Sequence, residues 1–272
     1  MSTPGEQWRV PPGKKFALGK LDAASTADAP KDKDAVASEV ASMGERIAVL
    51  HDRLWAEAKR SLLVVLQAMD TGGKDGTVRH VFHGLNPQGV RVAPFKAPSE
   101  EERHHDFLWR VHQKVPAAGE LVIFNRSHYE DVLIVRVHSL VPEKVWRARY
   151  DAIVDFEQHL VESGTTIVKF WLHISPEEQK RRLQARLDDP TKRWKFNPDD
   201  LVERKLWADY QAAAEELLQR TSTEHAPWYV VPADHKWYRD WVVSHVLVET
   251  LEAMDPKYPD VRDLQHCEIP DI

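Results

Sequence analysis

The segment that most constrains this chain is a glycine-rich turn placed between an apolar run and a helical pattern. Residues 62–66, Leu-Leu-Val-Val-Leu, have the length and composition of a strand that is buried on both faces. Residues 70–77, Asp-Thr-Gly-Gly-Lys-Asp-Gly-Thr, follow closely, and a helix is predicted to begin near Lys74. A strand, a glycine-rich turn and a helix in this order let backbone amides and a helix N-terminus surround an anion. The segment therefore indicates a phosphate-binding loop.

The rest of the chain repeats this alternation of strand and helix. Further strands are predicted over residues 90–94, 120–124, 165–172 and 228–232, and helices over 100–113, 142–162, 176–187, 198–219 and 237–254, after a first helix from about Val36. The pattern predicts a three-layer α/β/α fold with a parallel five-stranded sheet. We expect one domain over residues 36–255. Residues 1–35 are expected to form an arm that wraps the surface or is partly disordered, and residues 256–272 a surface tail.

The turn departs from the usual G-x-x-x-x-G-K-[ST] pattern at two positions. Ala68 stands at the first glycine, and Asp75 replaces the Ser or Thr that normally contacts magnesium. Asp70 and Asp75 therefore place two carboxylates beside the phosphate site, where a cation is needed to offset their repulsion. Mg²⁺ suits this position because it prefers oxygen ligands and bridges carboxylates to phosphates. Asp70 could instead activate the phosphate acceptor, and a plain loop is the alternative for so short a motif.

The third predicted strand ends in a second polar cluster, residues 125–131, Asn-Arg-Ser-His-Tyr-Glu-Asp. Because ligands bind at the carboxyl ends of parallel strands, this cluster is expected to face the same rim as the glycine-rich turn. Asn125 occupies the position where P-loop enzymes usually hold their metal with Asp, and it could coordinate only through a neutral oxygen. The structural alternative is a helix start in which Ser127 and Glu130 form a capping box.

A third motif is a basic segment with seven cationic residues between positions 180 and 195. It includes Lys192, Arg193 and Lys195, and Pro190 and Pro198 interrupt the helices around it. Such a segment has the character of a lid, over about residues 180–200, that closes on phosphates and excludes water. An exposed, charged helix end is the alternative. The aromatic rings of Trp194 and Phe196 are candidates for stacking on an adenine.

Composition excludes some classes of partner. The 272 residues carry a net charge of −6, so no overall cationic field would recruit nucleic acid or an acidic membrane. A single cysteine, Cys267, fits a reducing compartment. The start of the chain has no signal-peptide pattern, and no apolar stretch is long enough to span a bilayer. We therefore expect a cytoplasmic protein.

Taken in order, residues 69–77, 124–133 and 192–196 resemble the polyphosphate kinase 2 family, as do residues 106–110 and 135–138. The resemblance covers about residues 40–255. It implies a P-loop kinase that uses magnesium to move a phosphoryl group between inorganic polyphosphate and a nucleotide. The variant with Asn125 resembles the subgroup, often called class III, that accepts both AMP and ADP. The family also suggests a homo-oligomer, a dimer or a tetramer, and guanine nucleotides are further candidate substrates.

The resemblance and the motifs together assign roles to individual residues. The expected catalytic residues are Asp70, Lys74, Arg126 and Glu130. Polyphosphate is expected to contact Thr71, Gly72, Gly73, Asp75, Gly76, Thr77, Lys192, Arg193 and Lys195. The nucleotide is expected to contact Asn125, Ser127, Tyr129, Arg136, Trp194 and Phe196, and the metal Asp70 and Asn125.

Two competing functions share the phosphate-binding loop. One is a nucleoside monophosphate kinase of the thymidylate-kinase type, which takes its phosphoryl group from a nucleoside triphosphate. The other is a protein that binds polyanions without catalysis. Lys74 together with the pair Asp70 and Asp75 argues against the second, because a scaffold has no need of both a phosphate-binding cation and metal-binding carboxylates.

Overall fold

A central sheet of five parallel strands organises the part of the chain that the structure, a computed structural model, describes: residues 4–261, 267, 269 and 270. The strand order is β2-β3-β1-β4-β5. The bounds are Ser61–Ala68 for β1, Val90–Pro94 for β2, Leu121–Asn125 for β3, Thr165–His173 for β4 and Trp228–Pro232 for β5. The predicted α/β fold with a five-stranded parallel sheet is confirmed.

Helices cover both faces of this sheet. Their bounds are Lys33–Glu57 (α1), Lys74–Val81 (α2), Glu100–His104 (α3), Trp109–His112 (α4), Ile134–Val137 (α5), Glu143–Glu162 (α6), Pro176–Asp188 (α7), Asp199–Lys205 (α8), Trp207–Thr221 (α9) and Lys236–Met254 (α10). No helix within the described residues is long and apolar enough to cross a membrane.

Strand β1 is the middle of the sheet, and all eight of its residues are buried. Successive side chains point to opposite faces, so Leu62 and Val64 pack with α1 and α10 while Leu63 and Val65 pack with α6 and α9. This explains why the strand reads as a continuous apolar run rather than an alternating one. Because β1 also pairs with β3, in a register that sets Leu66 opposite Asn125, the loops that follow the two strands begin side by side.

Two predicted helices are each broken in two. The predicted helix over 100–113 ends at His104 and resumes at Trp109, because the Asp106 carboxylate accepts a hydrogen bond from the backbone of Leu108 and forms a local turn. The predicted helix over 198–219 is divided into α8 and α9 at Leu206. Apolar spacing continues across the second division, at Leu201, Leu206 and Tyr210, so periodicity does not reveal it.

The buried face of α6 differs in part from the predicted one. The sequence places Val145, Ala148, Ala152, Phe156 and Leu160 on one apolar face. Phe156 and Leu160 are buried as predicted, but Val145 is 42% exposed. Trp146, Tyr150 and Ile153 are buried instead. The apolar spacing of this helix fits two overlapping stripes, and the large aromatic side chains determine which of them is buried.

The segment before α1 packs tightly against the sheet. Val10 and Leu18 are fully buried, and the backbone of Val10 donates to the Trp228 carbonyl at 2.8 Å. Trp8 donates its ring N–H to the Tyr238 hydroxyl at 3.1 Å. The division into arm, domain and tail stays a prediction, and residues 1–3, 262–266, 268, 271 and 272 of the arm and tail lie outside the described residues.

Candidate active site

The glycine-rich loop joins the carboxyl end of β1 to the N-terminus of α2 through a tight backbone path. Gly73 has a φ of 108° and is the N-terminal cap of α2, a conformation that residues with a side chain rarely adopt. A Cβ on Gly72 would lie 2.4 Å from the Cβ of Ala68. Thr71 also has a positive φ, 63°, without being glycine. Such conformations persist where surrounding contacts enforce them, most often at functional sites.

Lys74 lies inside this loop. Its side chain is 8% exposed, and its ammonium donates to the carbonyl of Ala68 at 3.0 Å and to that of Met69 at 3.5 Å. Burial and the nearby charge of Arg126 together lower the pKa of Lys74 from 10.5 to about 8, although neighbouring carboxylates oppose them. Binding of an anion would stabilise this desolvated ammonium, which lies among backbone carbonyl groups. This is the property expected of a phosphate-binding lysine.

Arg126 connects the two loops at the rim of the sheet. It follows β3 with a φ of 61°, and its guanidinium forms an ion pair with Asp70 and lies 3.5 Å from the Glu130 carboxylate. Burial would lower the pKa of Arg126, but these two carboxylates outweigh it and hold the pKa above its usual value. Gln67 donates to Glu130 at 3.3 Å from β1. The four predicted catalytic residues, including Lys74, therefore meet at one edge of the sheet.

Asn125 and Asp75 form a second link across this edge. The Asn125 amide nitrogen donates to an Asp75 oxygen at 2.9 Å. The Asp75 side chain is 71% exposed, and its other oxygen lies 3.8 Å from the ammonium of Lys195 in the predicted lid. The contact joins β3, α2 and the lid around the mouth of the loop.

The predicted lid contributes two of its three proposed cations to this site. Lys192 and Lys195 line the same cavity as the glycine-rich loop. Arg193 does not line it, because its side chain turns back to donate to the Leu187 carbonyl at 2.7 Å. Trp194 is 77% exposed, with the Lys195 ammonium 5.0 Å from its ring centre, and like Phe196 it lies outside the cavity wall.

The cavity over the loop has a volume of about 470 Å³ and a cationic wall. Its wall contains three carboxylates and nine cationic side chains: Lys74, Arg126, Arg181, Arg182, Arg186, Lys192, Lys195, Lys236 and Arg239. Lys236 and Arg239 come from α10, and no motif in this helix marks them as site residues. Arg182 was visible only as part of the basic segment. Its Nη1 donates to the Thr71 carbonyl at 2.9 Å and thereby braces the loop.

Three predicted nucleotide contacts do not reach this cavity. Tyr129 is fully buried and donates its hydroxyl to Glu157 at 2.7 Å, and Ser127 is fully buried as well. Arg136 pairs with Glu216 at 2.7 Å, away from the glycine-rich loop. The predicted capping box is also absent from this turn. Residues His128–Asp131 form a 3₁₀ turn in which the Ser127 hydroxyl accepts from the backbone of Tyr129, while Glu130 faces Arg126.

A fully buried charge cluster explains the position of Tyr129. The ammonium of Lys169 contacts Glu157 at 2.5 Å and the Tyr129 hydroxyl at 2.9 Å, and all three side chains are inaccessible to solvent. Burial alone would raise the pKa of Glu157, but the charge of Lys169 and a hydrogen bond from His128 hold it below its usual value. The cluster anchors the 3₁₀ turn from beneath and so fixes the strand end that carries Arg126.

A second cavity, with a volume of about 760 Å³, shares Arg126 with the first, and Glu130 lines the second cavity beside it. Part of its wall is apolar, with Phe95, Phe107 and Ile134. The sequence did not predict it, although residues 106–110 had contributed to the family resemblance.

One polar part of the second cavity's wall is the Asp131 carboxylate. It contacts Arg149 at 3.1 Å and lies 3.7 Å from Arg110. Arg110 in turn donates to the Lys96 carbonyl at 2.8 Å, which holds the segment over the cavity. The cavity therefore offers aromatic, apolar and charged surfaces within reach of Arg126, a set suited to a molecule that carries both a ring and phosphates.

A divalent cation fits the first cavity if phosphates complete its coordination. Among the described residues no three His, Cys, Asp or Glu side chains form a metal-binding group. Asp70 and Asp75 nevertheless line the same wall as the glycine-rich loop. Magnesium is usually held by one or two carboxylates together with substrate phosphates and water, and this donor set matches that arrangement.

Comparison with known proteins gives a consistent result. The family model described as "Polyphosphate kinase 2" matches residues 30–259. An AMP/ADP-polyphosphate phosphotransferase from Meiothermus ruber is 56% identical over 93% of this chain and 95% of its own. An ADP-polyphosphate phosphotransferase from Rhodopseudomonas palustris is 43% identical over 97% and 95%. The crystal structure of polyphosphate kinase 2 from Arthrobacter aurescens superimposes with a TM-score of 0.92 at 46% identity, covering 96% of this chain and 93% of that one.

Proposed function

The chain belongs to the polyphosphate kinase 2 family, and from that membership we propose that it transfers phosphoryl groups reversibly between inorganic polyphosphate and adenine nucleotides. The reactions are ADP to ATP and AMP to ADP. The observation that carries the proposal is the meeting of two cavities at Arg126, which lines both of them. One cavity has the cationic, glycine-rich wall that suits a phosphate chain, and the other has the aromatic wall that suits a nucleoside.

The phosphate chain occupies the first cavity. Backbone amides of the glycine-rich loop and the ammonium of Lys74 hold the phosphates, while Lys192 and Lys195 approach from the lid. Phosphoryl transfer needs little covalent help from a protein, so positioning and charge compensation account for most of the rate. Arg126 lies between the two cavities and stabilises the charge on the transferred group.

The nucleotide occupies the second cavity, with its phosphates directed towards Arg126. Phe95 and Phe107 provide apolar surface for the base or the ribose. We propose these contacts in place of the predicted contacts with Tyr129, Ser127 and Arg136, because those three residues line neither cavity. Contacts of the nucleotide with Asn125, and with Trp194 and Phe196 of the proposed lid, stay predictions.

Mg²⁺ is the proposed cofactor, held by Asp70 and Asp75 together with substrate phosphates. When bound, it would neutralise charge on the substrate phosphates. Asp70 also orients Arg126 through their ion pair. Coordination of the metal by the amide oxygen of Asn125 stays a prediction. The amide nitrogen of the same side chain donates to Asp75.

An acceptor phosphate is already a nucleophile near neutral pH, so no strong general base is required. The acceptor oxygen forms a new bond to phosphorus while the bridging bond to the polyphosphate chain breaks, and the shortened chain keeps the electron pair. The residues at the site serve to align these atoms and exclude water. The thymidylate-kinase alternative is not favoured by the family match.

The experiment that tests the proposal compares phosphoryl donors. Purified protein with Mg²⁺, polyphosphate and either ADP or AMP should form ATP, measured by luminescence. A parallel reaction with ATP and dTMP, without polyphosphate, should show little turnover. Turnover in the second reaction alone would overturn the proposal and support the thymidylate-kinase type.

Four further predictions extend the proposal. Chelation should abolish turnover, and adding back Mg²⁺ or Mn²⁺ separately identifies the metal that is used. Replacing ADP with GDP tests acceptance of guanine nucleotides. Light scattering after size-exclusion chromatography tests the predicted dimer or tetramer, and fractionation of cells tests the predicted cytoplasmic location.

A further inference from the structure

Arg239, in the first turn of α10, packs directly against the glycine-rich loop. Its side chain is 1% exposed, yet its guanidinium lines the phosphate cavity. A Cβ added to Gly73 would lie 2.3 Å from Nη1 of Arg239, and one added to Gly76 would lie 3.3 Å from Nη2. The two glycines are therefore needed for the close approach of this cation as well as for the turn.

One edge of the Arg239 guanidinium is fixed by a carboxylate. Nε and Nη2 donate to the same oxygen of Asp240, at 2.8 and 2.6 Å. The other oxygen of Asp240 lies 3.1 Å from Nδ1 of His80, which belongs to α2. Asp240 is thus held between α2 and α10, and it fixes the plane of Arg239 before any ligand arrives.

The other edge of the guanidinium has no partner. Within residues 4–261, 267, 269 and 270, Nη1 of Arg239 makes no hydrogen bond, although it faces Gly73. Arg182 differs, because its Nε, Nη1 and Nη2 donate to Glu178, to the Thr71 carbonyl and to the Ala233 carbonyl. Arg182 is therefore a brace whose donor nitrogens are all used within the protein, whereas Arg239 keeps a free donor in a nearly fully buried side chain.

We propose that Arg239 binds substrate phosphate, with Nη1 donating to a non-bridging oxygen of the phosphate group on the glycine-rich loop. Asp240 is the positioning residue that holds it. This inference rests on the proposed function, because it assigns a further residue to the same transfer. Arg239 exchanges no proton with the substrate, and it compensates charge as the bond from the acceptor oxygen forms and the bridging bond breaks. The guanidinium of Arg239 does not have to reorient when substrate binds, because Asp240 already fixes its orientation.

The test compares variants of Arg239 and Asp240, on α10, with a control variant on α1. Arg239→Gln removes the charge, Arg239→Lys keeps it but loses the planar fork, and Asp240→Asn weakens the clamp while Arg239 remains. Arg46→Gln is the matched control, because Arg46 forms an exposed ion pair with Glu252 of α10, remote from the cavity wall. For each protein, kcat, the KM for polyphosphate, the KM for ADP and the melting temperature are measured. Binding of polyphosphate without nucleotide is measured by calorimetry.

Arg239→Gln should lower kcat about 100-fold and weaken polyphosphate binding, while the KM for ADP changes little. Arg239→Lys and Asp240→Asn should have smaller effects in the same direction, and Arg46→Gln should match the wild type. If Arg239→Gln does not fold, the other two variants decide the question. Folded variants with unchanged kcat and unchanged polyphosphate affinity would overturn the inference.

Failure of the inference can be distinguished from failure of the proposed function. A wild-type protein that turns over polyphosphate and ADP, with Arg239 variants equally active, would contradict only the role of Arg239. A wild-type protein without polyphosphate-dependent turnover would contradict the proposed function. In that case the calorimetric affinities alone decide whether Arg239 binds phosphate chains.

Discussion

Asp70 and Arg126 form an ion pair that spans the carboxyl ends of β1 and β3, two strands that are neighbours in the sheet but separated by more than 50 residues of sequence. The pair joins the phosphate-binding loop to the edge shared by the two cavities. It is partly exposed, so its contribution to folding is small, and its importance lies in the orientation of the Arg126 guanidinium.

Asp70→Asn should therefore separate activity from stability. We expect kcat to fall by about 1,000-fold, because the substitution removes a proposed metal ligand and the partner that orients Arg126. The free energy of unfolding should change by about 1 kcal/mol or less. Enzyme kinetics and urea denaturation measure the two quantities, with Asp52→Asn on the exposed face of α1 as the control. Near-normal turnover would remove Asp70 from the site.

Gly73→Ala tests the backbone of the loop. The φ of 108° and the 2.3 Å approach of Arg239 Nη1 to the new Cβ should destabilise the protein by about 1–3 kcal/mol and disrupt phosphate binding. Gly44→Ala is the matched control, since Gly44 lies inside α1 with no atom near the position of a Cβ, and it should stabilise the protein by about 0.5–1 kcal/mol. Equal melting temperatures for the two variants would contradict the strained geometry.

The lowered pKa of Lys74 predicts a specific pH dependence of stability. Between its folded pKa of about 8 and its unfolded value of 10.5, the unfolded chain binds more protons than the folded one. The free energy of unfolding should therefore rise with pH across this window, by about 3 kcal/mol from this group. Below pH 8 the cost of burying the charge is fully present.

Lys74→Met provides the comparison for that prediction. In this variant the free energy of unfolding should not show the rise with pH above pH 8. The variant should be at least as stable as the wild type at pH 7, and it should lose activity. Urea denaturation at a series of pH values measures the difference between the two proteins. In the wild type, the KM for polyphosphate should increase above pH 8, since the neutral amine no longer attracts phosphate. Parallel stability curves for the two proteins would show that Lys74 is not buried as a cation.

Breaking the buried ion pair between Lys169 and Glu157 should lower the free energy of unfolding. Lys169→Met leaves the Glu157 carboxylate buried with only His128 and Tyr129 as partners, and should destabilise the protein by about 3–5 kcal/mol. The double variant Lys169→Met, Glu157→Leu should recover most of this loss, because no charge remains uncompensated. Lys144→Met, on the exposed face of α6, is the control for calorimetric melting. Equal losses in the single and double variants would argue against a charge effect.

The second cavity can be filled without changing the phosphate loop. Ala97→Trp introduces a large side chain from an exposed position in its wall, and should raise the KM for ADP at least about 10-fold. Binding of polyphosphate alone should be unchanged. Ala118→Trp, also at an exposed position but outside both cavities, serves as the control. A selective effect on polyphosphate would assign the second cavity to the other substrate.

The sequence alone predicts the five-stranded sheet and the edge of the sheet at which the site lies. β1 could be recognised because a central parallel strand is buried on both faces and therefore contains a continuous apolar run. Gly73 and Lys74 could be recognised because a turn between a strand and a helix restricts residue types. Parallel pairing then placed Arg126 beside Asp70. These features are local in sequence, or they follow from a general rule about strand ends.

Features that depend on packing between distant segments could not be obtained in this way. Tyr129 looked like a ligand contact, but a buried carboxylate and lysine from α6 and β4 draw it into the core. No motif in the sequence singles out Arg239, and its contact with the loop is revealed by the approach of α10 to α2. The second cavity is enclosed by several segments between Phe95 and Arg149, and no single motif encodes it.

The most direct measurement of the central claim is a phosphate balance by ³¹P NMR. Wild-type protein, Mg²⁺, polyphosphate and ADP are followed in one tube, beside an identical tube with Lys74→Met. The wild type should form ATP while polyphosphate loses one phosphate for each ATP that appears, and the variant should do neither. ATP formation without a matching loss of polyphosphate, or equal transfer by the variant, would contradict phosphoryl transfer at the glycine-rich loop.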